Sequence, residues 1–278
     1  MPELPEVETI VREMEASALK GTKIDKAVIY WDRTIAGLHP DLFCQRIRHQ
    51  SIVDIQRRGK FIVIRLTKDT LLIHLRMTGK FLITTDHTTT HAHERVRLYL
   101  SDGRILRYED QRKFGKWYLT DKPEDLLAKV GIEPLSSTFT LKAFKKLLER
   151  RQRQIKPFLL DQRYVAGLGN IYVDEALWAA KIHPTRTAAS LSTTEIAALH
   201  QAIILVLQAG VKNTGTSLGA ARANYFSISG QRGSHQAELK VFRKDGCPCP
   251  RCHTILEKIV LGQRGTHFCP RCQKTFQD

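Results

Sequence analysis

Four cysteines near the C-terminus constrain the fold more than any other feature of the chain. Cys249 and Cys252 form one CxxC pair, and Cys269 and Cys272 form a second pair after sixteen intervening residues. Each CxxC turn directs two thiolates at one ion, and four sulfur ligands suit tetrahedral Zn²⁺. Because no coordination position is left for water, the spacing predicts one structural zinc ion per chain, with a β-hairpin between the pairs. A redox role for the cysteines is the alternative.

Two more cysteines, Cys44 and Cys247, lie outside the CxxC pairs, so the pattern favours metal binding in a reducing compartment over a disulfide framework.

The 278-residue chain carries 44 Lys and Arg against 28 Asp and Glu, a formal net charge of +16, which predicts a polyanionic partner. No run approaches the roughly 18 apolar residues of a membrane span, and no secretion signal is visible. The sequence therefore predicts a cytoplasmic protein that has no membrane partner and is long enough for two domains.

The N-terminus predicts an amphipathic helix that follows Pro5 and is closed by Gly21. Its apolar residues recur at helical spacing: Val7, Ile10, Val11, Met14, Ala18 and Leu19. Pro5 suits the first turn because it lacks a donor that this turn does not use. Glu6 and Glu8 lie where the helix dipole favours anions.

The residues before this helix suggest covalent chemistry. Removal of Met1 would leave the secondary amine of Pro2 as the α-amino group, which titrates near ~8 and is partly free base at neutral pH. Addition of this amine to a sugar C1′ gives an iminium ion that withdraws electrons for later eliminations, and Glu3 lies beside it as a proton donor or acceptor. The alternative is a proline-rich helix cap whose charges only solubilise the chain.

Residues 22–119 predict a β-sandwich packed around the first helix. The predicted strands are short runs at 26–30, 51–56, 61–66, 70–75, 95–100, 104–108 and 116–119. Lys60, in an RRGK turn, predicts a phosphate contact or a proton donor, with a solvated turn as the alternative. Met77 and Phe114 at loop ends predict wedges that enter a base stack, with Arg112 facing the bases, and core packing is the alternative.

The region 135–237 predicts helices with phosphate-binding features. The helix near Leu141 runs into a basic stretch that contains Arg151, which predicts a solvated helix end or a phosphate contact. Two glycines before Asn170 predict a tight turn that opens a helix with Asn170 as its N-cap, and the unpaired backbone donors there suit a phosphate. Residues 211–237 have little periodicity and predict a mobile loop that orders over a ligand.

With these features in order, the chain resembles bacterial formamidopyrimidine-DNA glycosylase from end to end. The matching motifs are PELPEVET at Pro2, RRGK at Lys60, HLRMTGK at Met77, QRKFG at Arg112, IKPFLLDQ at Lys156, AGLGNIYVDE at Asn170 and GQRGTHFCPRC around Arg264. The resemblance implies an enzyme that flips oxidised purines, such as 8-oxoguanine and formamidopyrimidines, out of the duplex, cuts the glycosidic bond and cleaves the strand by β,δ-elimination. It also implies a monomer whose partner is double-stranded DNA containing a damaged base.

The resemblance gives each matching residue a role. Pro2 would be the Schiff-base nucleophile, Glu3 the acid that assists opening of the deoxyribose ring, and Glu6 a supporting residue. Lys60 would be linked to β-elimination and Arg264 to δ-elimination. Besides these two, the DNA contacts would be His74, Met77, His93, Arg112, Phe114, Arg151, Asn170 and Lys258.

The implied fold is α+β: an N-terminal β-sandwich with a flanking helix, a helix-two-turn-helix domain and a C-terminal four-cysteine zinc-finger β-hairpin. The predicted domains are a catalytic sandwich at 1–120, a linker at 121–134, a DNA-binding domain with the lesion-recognition loop at 135–237, and the finger at 238–278. The loop around 217–234 is expected to cover the everted base.

Two features depart from the family pattern. Phe242 stands where members often carry Tyr, so a hydroxyl contact to phosphate is expected to be missing, and the loop from Asn213 onward is irregular. The nearest alternative is endonuclease VIII, which favours oxidised pyrimidines, but its start resembles PEGPE whereas this chain has Leu4. From a different class, a non-catalytic zinc protein that only binds DNA would explain the charge and the finger, but it would not need Pro2 next to Glu3.

Overall fold

A computed structural model describes the chain over residues 1–89, 91–219 and 225–275. The described residues form two compact units. The first contains residues 1–128 and 213–236, and the second contains residues 129–212 and those from 237 onward. The chain therefore leaves the first unit and returns to it once before the finger begins.

Helix α1, Leu4–Ala16, opens the first unit, and Pro5 lies in its first turn. The apolar face of α1 is buried in the core of this unit through Val7, Ile10, Val11 and Met14. The predicted helix is confirmed, except that it ends at Ala16 instead of continuing towards Gly21.

Over the described residues, eight strands of the first unit form two antiparallel four-stranded sheets. These strands are β1 (Ile24–Ile29), β2 (Ile52–Arg58), β3 (Phe61–Leu66), β4 (Thr70–His74), β5 (Gly79–Thr84), β6 (Glu94–Leu100), β7 (Ile105–Asp110) and β8 (Lys116–Thr120). One sheet has the order β1-β6-β7-β5, and the other has the order β2-β3-β4-β8. The predicted β-sandwich is confirmed. The sequence does not predict β5, because the glycine that begins it reads as part of a loop.

The sequence also does not predict helix α2, Pro40–Ile47. This helix has two buried residues, Phe43 and Ile47, and it packs against β1. Of its apolar residues only Phe43 and Ile47 are buried, and a single apolar pair four residues apart is too little periodicity to distinguish a helix from a loop. A third short helix, α3 (Glu124–Leu127), lies in the predicted linker.

The core of the first unit includes residues from the segment 213–236. Tyr225 and Ile228 are buried in the same hydrophobic cluster as α1 and the sandwich strands. Their burial explains why this segment packs with the first unit. Residues 220–224, which belong to the predicted mobile loop, lie outside the described residues.

The second unit is helical ahead of its finger. Its helices are α4 (Leu141–Leu148), α5 (Ile155–Leu160), α6 (Asn170–Ala179) and α7 (Thr193–Lys212). Helix α5 begins at Ile155, and Pro157 lies in its first turn. A capping box opens α7, because the Ser192 backbone N–H donates to Glu195 Oε2 at 2.7 Å and the Glu195 N–H donates to Ser192 Oγ at 3.2 Å.

Among the described residues, α7 is the one helix long and apolar enough, by length and composition, to cross a membrane. Its stripe of Ile196, Leu199, Ile203 and Leu207 is buried, and α7 packs against α4 and α6. Core helices of globular proteins meet the same length and composition criteria, so the packing identifies α7 as the central helix of the second unit.

The finger contains a β-hairpin, as predicted. Strands β9 (Glu257–Leu261) and β10 (Arg264–Phe268) pair antiparallel. The turn between them consists of Gly262 and Gln263, which have φ values of +52° and +62°. Two consecutive residues with positive φ are typical of a type I′ hairpin turn. Arg264 is therefore the first residue of β10 and lies beside the turn.

Candidate active site and nucleic-acid interface

The N-terminal site is built around two buried carboxylates at the start of α1. Pro2 is buried and directly precedes Glu3, the N-cap residue of the helix. The Glu3 backbone N–H donates to Glu6 Oε2 at 2.7 Å, and both side chains are at most 3% exposed. Glu3 and Glu6 thus form a capping box, which holds the chain end in one conformation. The helix N-terminus also favours negative charge at this position.

Glu6 also binds the segment that returns to the first unit. Its Oε1 accepts a hydrogen bond from the Thr216 N–H at 2.7 Å. Gly215 approaches so closely, with a φ of +81°, that a Cβ there would lie 2.9 Å from Glu6 Oε1. The supporting role predicted for Glu6 therefore has a geometric basis: one carboxylate joins the N-terminus to the segment 213–236.

Lys60 lies in the tight turn between β2 and β3, next to Gly59, and its side chain is 5% exposed. A solvated turn, the alternative reading of the RRGK motif, does not fit this burial. Opposite the start of β3, His74 pairs in register with Phe61, and their rings meet edge to face at 5.0 Å. Lys60 and His74 thus lie in the same part of the sheet.

His74 is a neutral imidazole of fixed tautomer. Burial lowers its pKa to about 3, and the positive charges of Arg76 and Lys60 act in the same direction. The Arg76 backbone N–H donates to His74 Nδ1 at 3.0 Å, so the proton resides on Nε2. His74 can therefore offer an uncharged N–H donor to a phosphate.

Met77, Arg112 and Phe114 form one exposed group. The Arg112 guanidinium lies 2.8 Å from Met77 Sδ and 4.8 Å from the centre of the Phe114 ring. Met77 is 36% exposed and Phe114 is 49% exposed. The alternative that these two residues are plain core is therefore wrong, and the arrangement can present two apolar side chains and a cation to a base stack.

Asp110 holds the two loops that carry this group. Its Oδ1 accepts from the Thr78 hydroxyl and from the Arg112 N–H, and its Oδ2 accepts from the Gly115 N–H at 2.7 Å. A Cβ at Gly115 would lie 1.7 Å from the Tyr108 hydroxyl, which explains the glycine of the QRKFG motif. His93 is exposed, and its carbonyl accepts from the Asp110 N–H at 2.9 Å.

In the second unit, Asn170 is the first residue of α6, and its N-cap is Gly169. The prediction that Asn170 is the N-cap is therefore wrong by one residue. The Asn170 Nδ2 instead donates to the carbonyl of Gly265 at 2.9 Å. The same carbonyl accepts from Lys156 Nζ at 3.0 Å. Two donors thus fix the backbone of the residue that follows Arg264.

A buried ion network supports this contact. Lys156 Nζ lies 2.6 Å from Asp174 Oδ1, and both side chains are fully buried. Asp174 Oδ2 accepts from the His267 N–H at 3.0 Å. Arg264 and Lys258, by contrast, are exposed on the hairpin. The interior of the unit therefore holds the hairpin in place while its cations face outward.

Two further predicted features lie elsewhere in the second unit. Arg151 is exposed and stacks over the Tyr164 ring at 5.1 Å. Phe242 is buried against the His267 ring at 5.1 Å, and its backbone N–H donates to Glu175 at 2.8 Å. Glu175 also accepts from the backbone N–H groups of Lys240 and Val241. Phe242, at which the sequence predicts that a hydroxyl contact to phosphate is missing, is therefore held through its main chain.

The four predicted ligand cysteines converge. Their sulfur atoms all lie within 4.8 Å of one another. Bonds of about 2.3 Å to one ion would place tetrahedral thiolates roughly 3.8 Å apart, which agrees with these separations. Trp178 Nε1 donates to Cys249 Sγ at 3.5 Å. The cluster fits a structural metal held entirely by protein sulfur.

Several supporting residues are not predicted from the sequence. They are Glu13, Asp110, Asp174 and Glu175, together with Lys156 as an element of the hairpin support. Four of these residues lie within or beside the recognised motifs: Asp110, Lys156, Asp174 and Glu175. Their position in the motifs is a sequence signal that could have identified them as supporting residues. Glu13 lies on α1 beyond its motif, and no local pattern distinguishes it from other helix-surface glutamates.

Three family models match the chain. They are the formamidopyrimidine-DNA glycosylase N-terminal domain over residues 1–117, the formamidopyrimidine-DNA glycosylase H2TH domain over 130–221, and the zinc finger found in FPG and IleRS over 246–275.

Full-length relatives and solved structures agree with these matches. Formamidopyrimidine-DNA glycosylase of Protochlamydia amoebophila is 45% identical over 275 residues, which is 99% of this chain and 100% of the relative. The Herpetosiphon aurantiacus protein of the same name is 43% identical, covering 98% of this chain and 100% of the relative. A solved complex of Lactococcus lactis Fpg with abasic-site DNA is similar at a TM-score of 0.89 and 39% identity, covering 98% of this chain and 99% of that one. The wild-type L. lactis protein bound to an N7-benzyl-Fapy-dG DNA has the same TM-score and identity.

Proposed function

The chain belongs to the formamidopyrimidine-DNA glycosylase family, and from this premise we propose that it excises oxidised purines from duplex DNA and cleaves the resulting abasic site. The observation that carries the proposal is the similarity to glycosylases of this name over both full lengths. The substrate class follows from the related structures, which hold Fapy-dG or abasic-site DNA. The partner is double-stranded DNA with a damaged base, and the enzyme acts as a monomer in the cytoplasm, at the nucleoid.

The reaction begins at Pro2 after removal of Met1. The Pro2 nitrogen forms a bond to C1′ of the damaged nucleotide as the glycosidic bond breaks, and the proton that this nitrogen loses leaves with the base. Glu3 gives a proton to the ring oxygen as the deoxyribose opens, which yields the iminium ion. The burial of Glu3 supports this role, because a carboxyl shielded from water transfers its proton within the site.

The iminium then withdraws electrons for two eliminations. Loss of a proton from C2′ breaks the bond from C3′ to the 3′ phosphate, a step that we assign to Lys60. A second elimination removes a proton from C4′ and breaks the bond from C5′ to the 5′ phosphate, and we assign Arg264 to it. Glu6 supports the N-terminus, since its carboxylate accepts the Glu3 N–H.

We assign DNA binding to residues in both units. His74, His93, Arg151, Asn170 and Lys258 are proposed phosphate or backbone contacts. Met77, Arg112 and Phe114 would fill the gap left by the everted base, and their contact with one another supports this shared role. The segment 217–234 would cover the base. We retain the functional division into a sandwich at 1–120, a linker at 121–134, a DNA-binding domain at 135–237 and a finger at 238–278.

We further propose that the metal of the finger is Zn²⁺. Cys249, Cys252, Cys269 and Cys272 would hold it, and it would fix the hairpin without taking part in the reaction. Four thiolates leave no position for water or substrate, so its contribution is structural.

Borohydride trapping tests the proposed function. Reduction of the iminium should give a stable adduct between the enzyme and 8-oxoguanine or abasic-site duplex, and peptide mass mapping should locate it on Pro2. In a variant that retains Met1, the Pro2 nitrogen is part of a peptide bond and cannot attack C1′, so this variant should trap nothing. An adduct on Lys60 or Lys156 with unmodified Pro2 would show that the nucleophile is another residue.

A further inference from the structure

Helix α1 binds the segment 213–236 at two points on one face. Glu6 and Glu13 are seven residues apart, which places both side chains on the same side of the helix. Glu6 accepts from the Thr216 N–H near the start of the segment. Glu13 Oε2 accepts from the Ile228 N–H at 2.5 Å and the Ser229 N–H at 3.3 Å, and Glu13 Oε1 accepts from the Ser229 hydroxyl at 3.1 Å.

The part of the segment that Glu13 binds is an ordered turn. The Ser227 N–H donates to the Gln231 carbonyl at 2.9 Å, and the Gln231 N–H donates to Ser227 Oγ at 3.1 Å. Tyr225 and Ile228, on either side of Ser227, are 3% and 6% exposed. Glu13 thus receives two successive N–H groups of a turn whose neighbouring side chains enter the core.

We propose that Glu13 is a positioning residue for base excision: it anchors the segment 225–231 to helix α1, whose first residue lies two positions after Pro2. This inference rests on the proposed function, in which this segment is part of the loop that covers the everted base. A base must be held only while the glycosidic bond is intact. Glu13 therefore acts on excision and not on cleavage of a preformed abasic site.

The surroundings of Glu13 indicate what its loss would do. Glu13 is half-buried and Ser229 is exposed, so water can reach the donors that a substitution releases. Water can bind the freed N–H groups, so the main effect of a substitution would be a less ordered turn. Loss of hydrogen bonds to a charged acceptor should shift the ratio of anchored to released turn by roughly tenfold or more.

The test compares Glu13→Ala and Glu13→Gln with Glu15→Ala. Glu15 lies on the same helix, is exposed and pairs with Lys20 at 3.1 Å. Its replacement by Ala makes the same change in net charge as Glu13→Ala. Glu13→Ala should lower the single-turnover rate of 8-oxoguanine excision by about tenfold, with cleavage and borohydride trapping of an abasic-site duplex within about twofold of wild type. Glu13→Gln retains one acceptor oxygen and should fall between wild type and Glu13→Ala. Glu15→Ala should match wild type in both reactions.

Hydrogen exchange in the free enzyme distinguishes a local loss of order in the turn from a general loss of stability. In Glu13→Ala, the amides of Ile228 and Ser229 should exchange faster while those of α1 stay protected. Equal losses in excision and abasic-site cleavage, or unchanged excision with both amides exposed, would overturn the role of Glu13. A wild-type enzyme that neither excises nor traps would instead refute the proposed function, so the two failures are distinguishable.

Discussion

The N-terminal site of the first unit and the hairpin of the second unit differ in how they place the residues to which we assign roles. Glu3, Glu6 and Lys60 are at most 5% exposed, and the main chain around them is fixed by hydrogen bonds. Lys258 and Arg264 are exposed on a two-stranded hairpin whose support lies behind it, in the Lys156–Asp174 pair and the cysteine cluster.

The difference follows from the work proposed for each region. Proton transfer and covalent attack need groups shielded from water and held at fixed positions. Contact with a phosphate backbone needs cations that DNA can reach, and their energy comes largely from displaced counterions. The residues of the N-terminal site are therefore positioned by the burial of their own side chains. The cations of the hairpin are positioned by residues that lie behind it.

The largest effect should come from loss of the finger's metal. Cys269→Ser removes a buried ligand, so the metal and the tight binding of duplex DNA should be lost together, because the four thiolates join the two CxxC pairs through one ion. Metal content by atomic absorption and DNA binding by titration check this. If the metal-free variant binds DNA as tightly as wild type, the hairpin does not depend on its metal support.

Asp174→Asn should weaken the same region from its interior. It removes the negative charge that faces the fully buried Lys156 ammonium, and breaking a buried ion pair costs about 3–5 kcal/mol. DNA affinity and the stability of the second unit should fall together, while trapping at saturating abasic-site DNA persists. The matched control is Asp161→Asn, since Asp161 pairs only with surface arginines in the described structure. Loss of trapping at saturation would mean that the two regions are not independent.

Acid should destabilise the first region through His74. Its pKa is lowered to about 3 in the folded protein, so between roughly pH 6.5 and pH 3 the unfolded chain binds a proton that the folded chain does not. Stability should therefore fall as the pH decreases through this window. Relative to His74→Gln, wild type should lose about 1–3 kcal/mol more between pH 7.5 and pH 4.5 in urea denaturation. Parallel curves for the two proteins would show that His74 does not bear this burial cost.

Lys258→Ala should have the smallest effect and the most specific one. Removal of one phosphate contact should reduce the slope of log affinity against log salt by about one unit for duplex DNA. His74→Gln should lower affinity without changing this slope, since neutral His74 displaces no counterion. A slope that is unchanged in Lys258→Ala removes this residue from the phosphate contacts.

The sequence alone predicted the parts of the molecule whose signals are local. The CxxC spacing predicted the finger, since ligand geometry restricts the chain between the pairs, and short β-type runs predicted seven of the eight sandwich strands. The ordered motifs gave the family. Elements without periodicity, such as α2, or with a glycine at their start, such as β5, were not predicted.

The tertiary structure decided which residues support the predicted ones. Glu13 meets Ile228 across 215 positions of sequence, and Lys156 meets Gly265 across 109. Neither pair has a local pattern, because each depends on where the chain returns after folding. The return of residues 213–236 to the first unit depends on the burial of Tyr225 and Ile228, whose partners come from distant strands and from α1. Periodicity and motif spacing indicate the local structure of a single segment. Contacts between distant segments form only when the core folds, so no single segment predicts them.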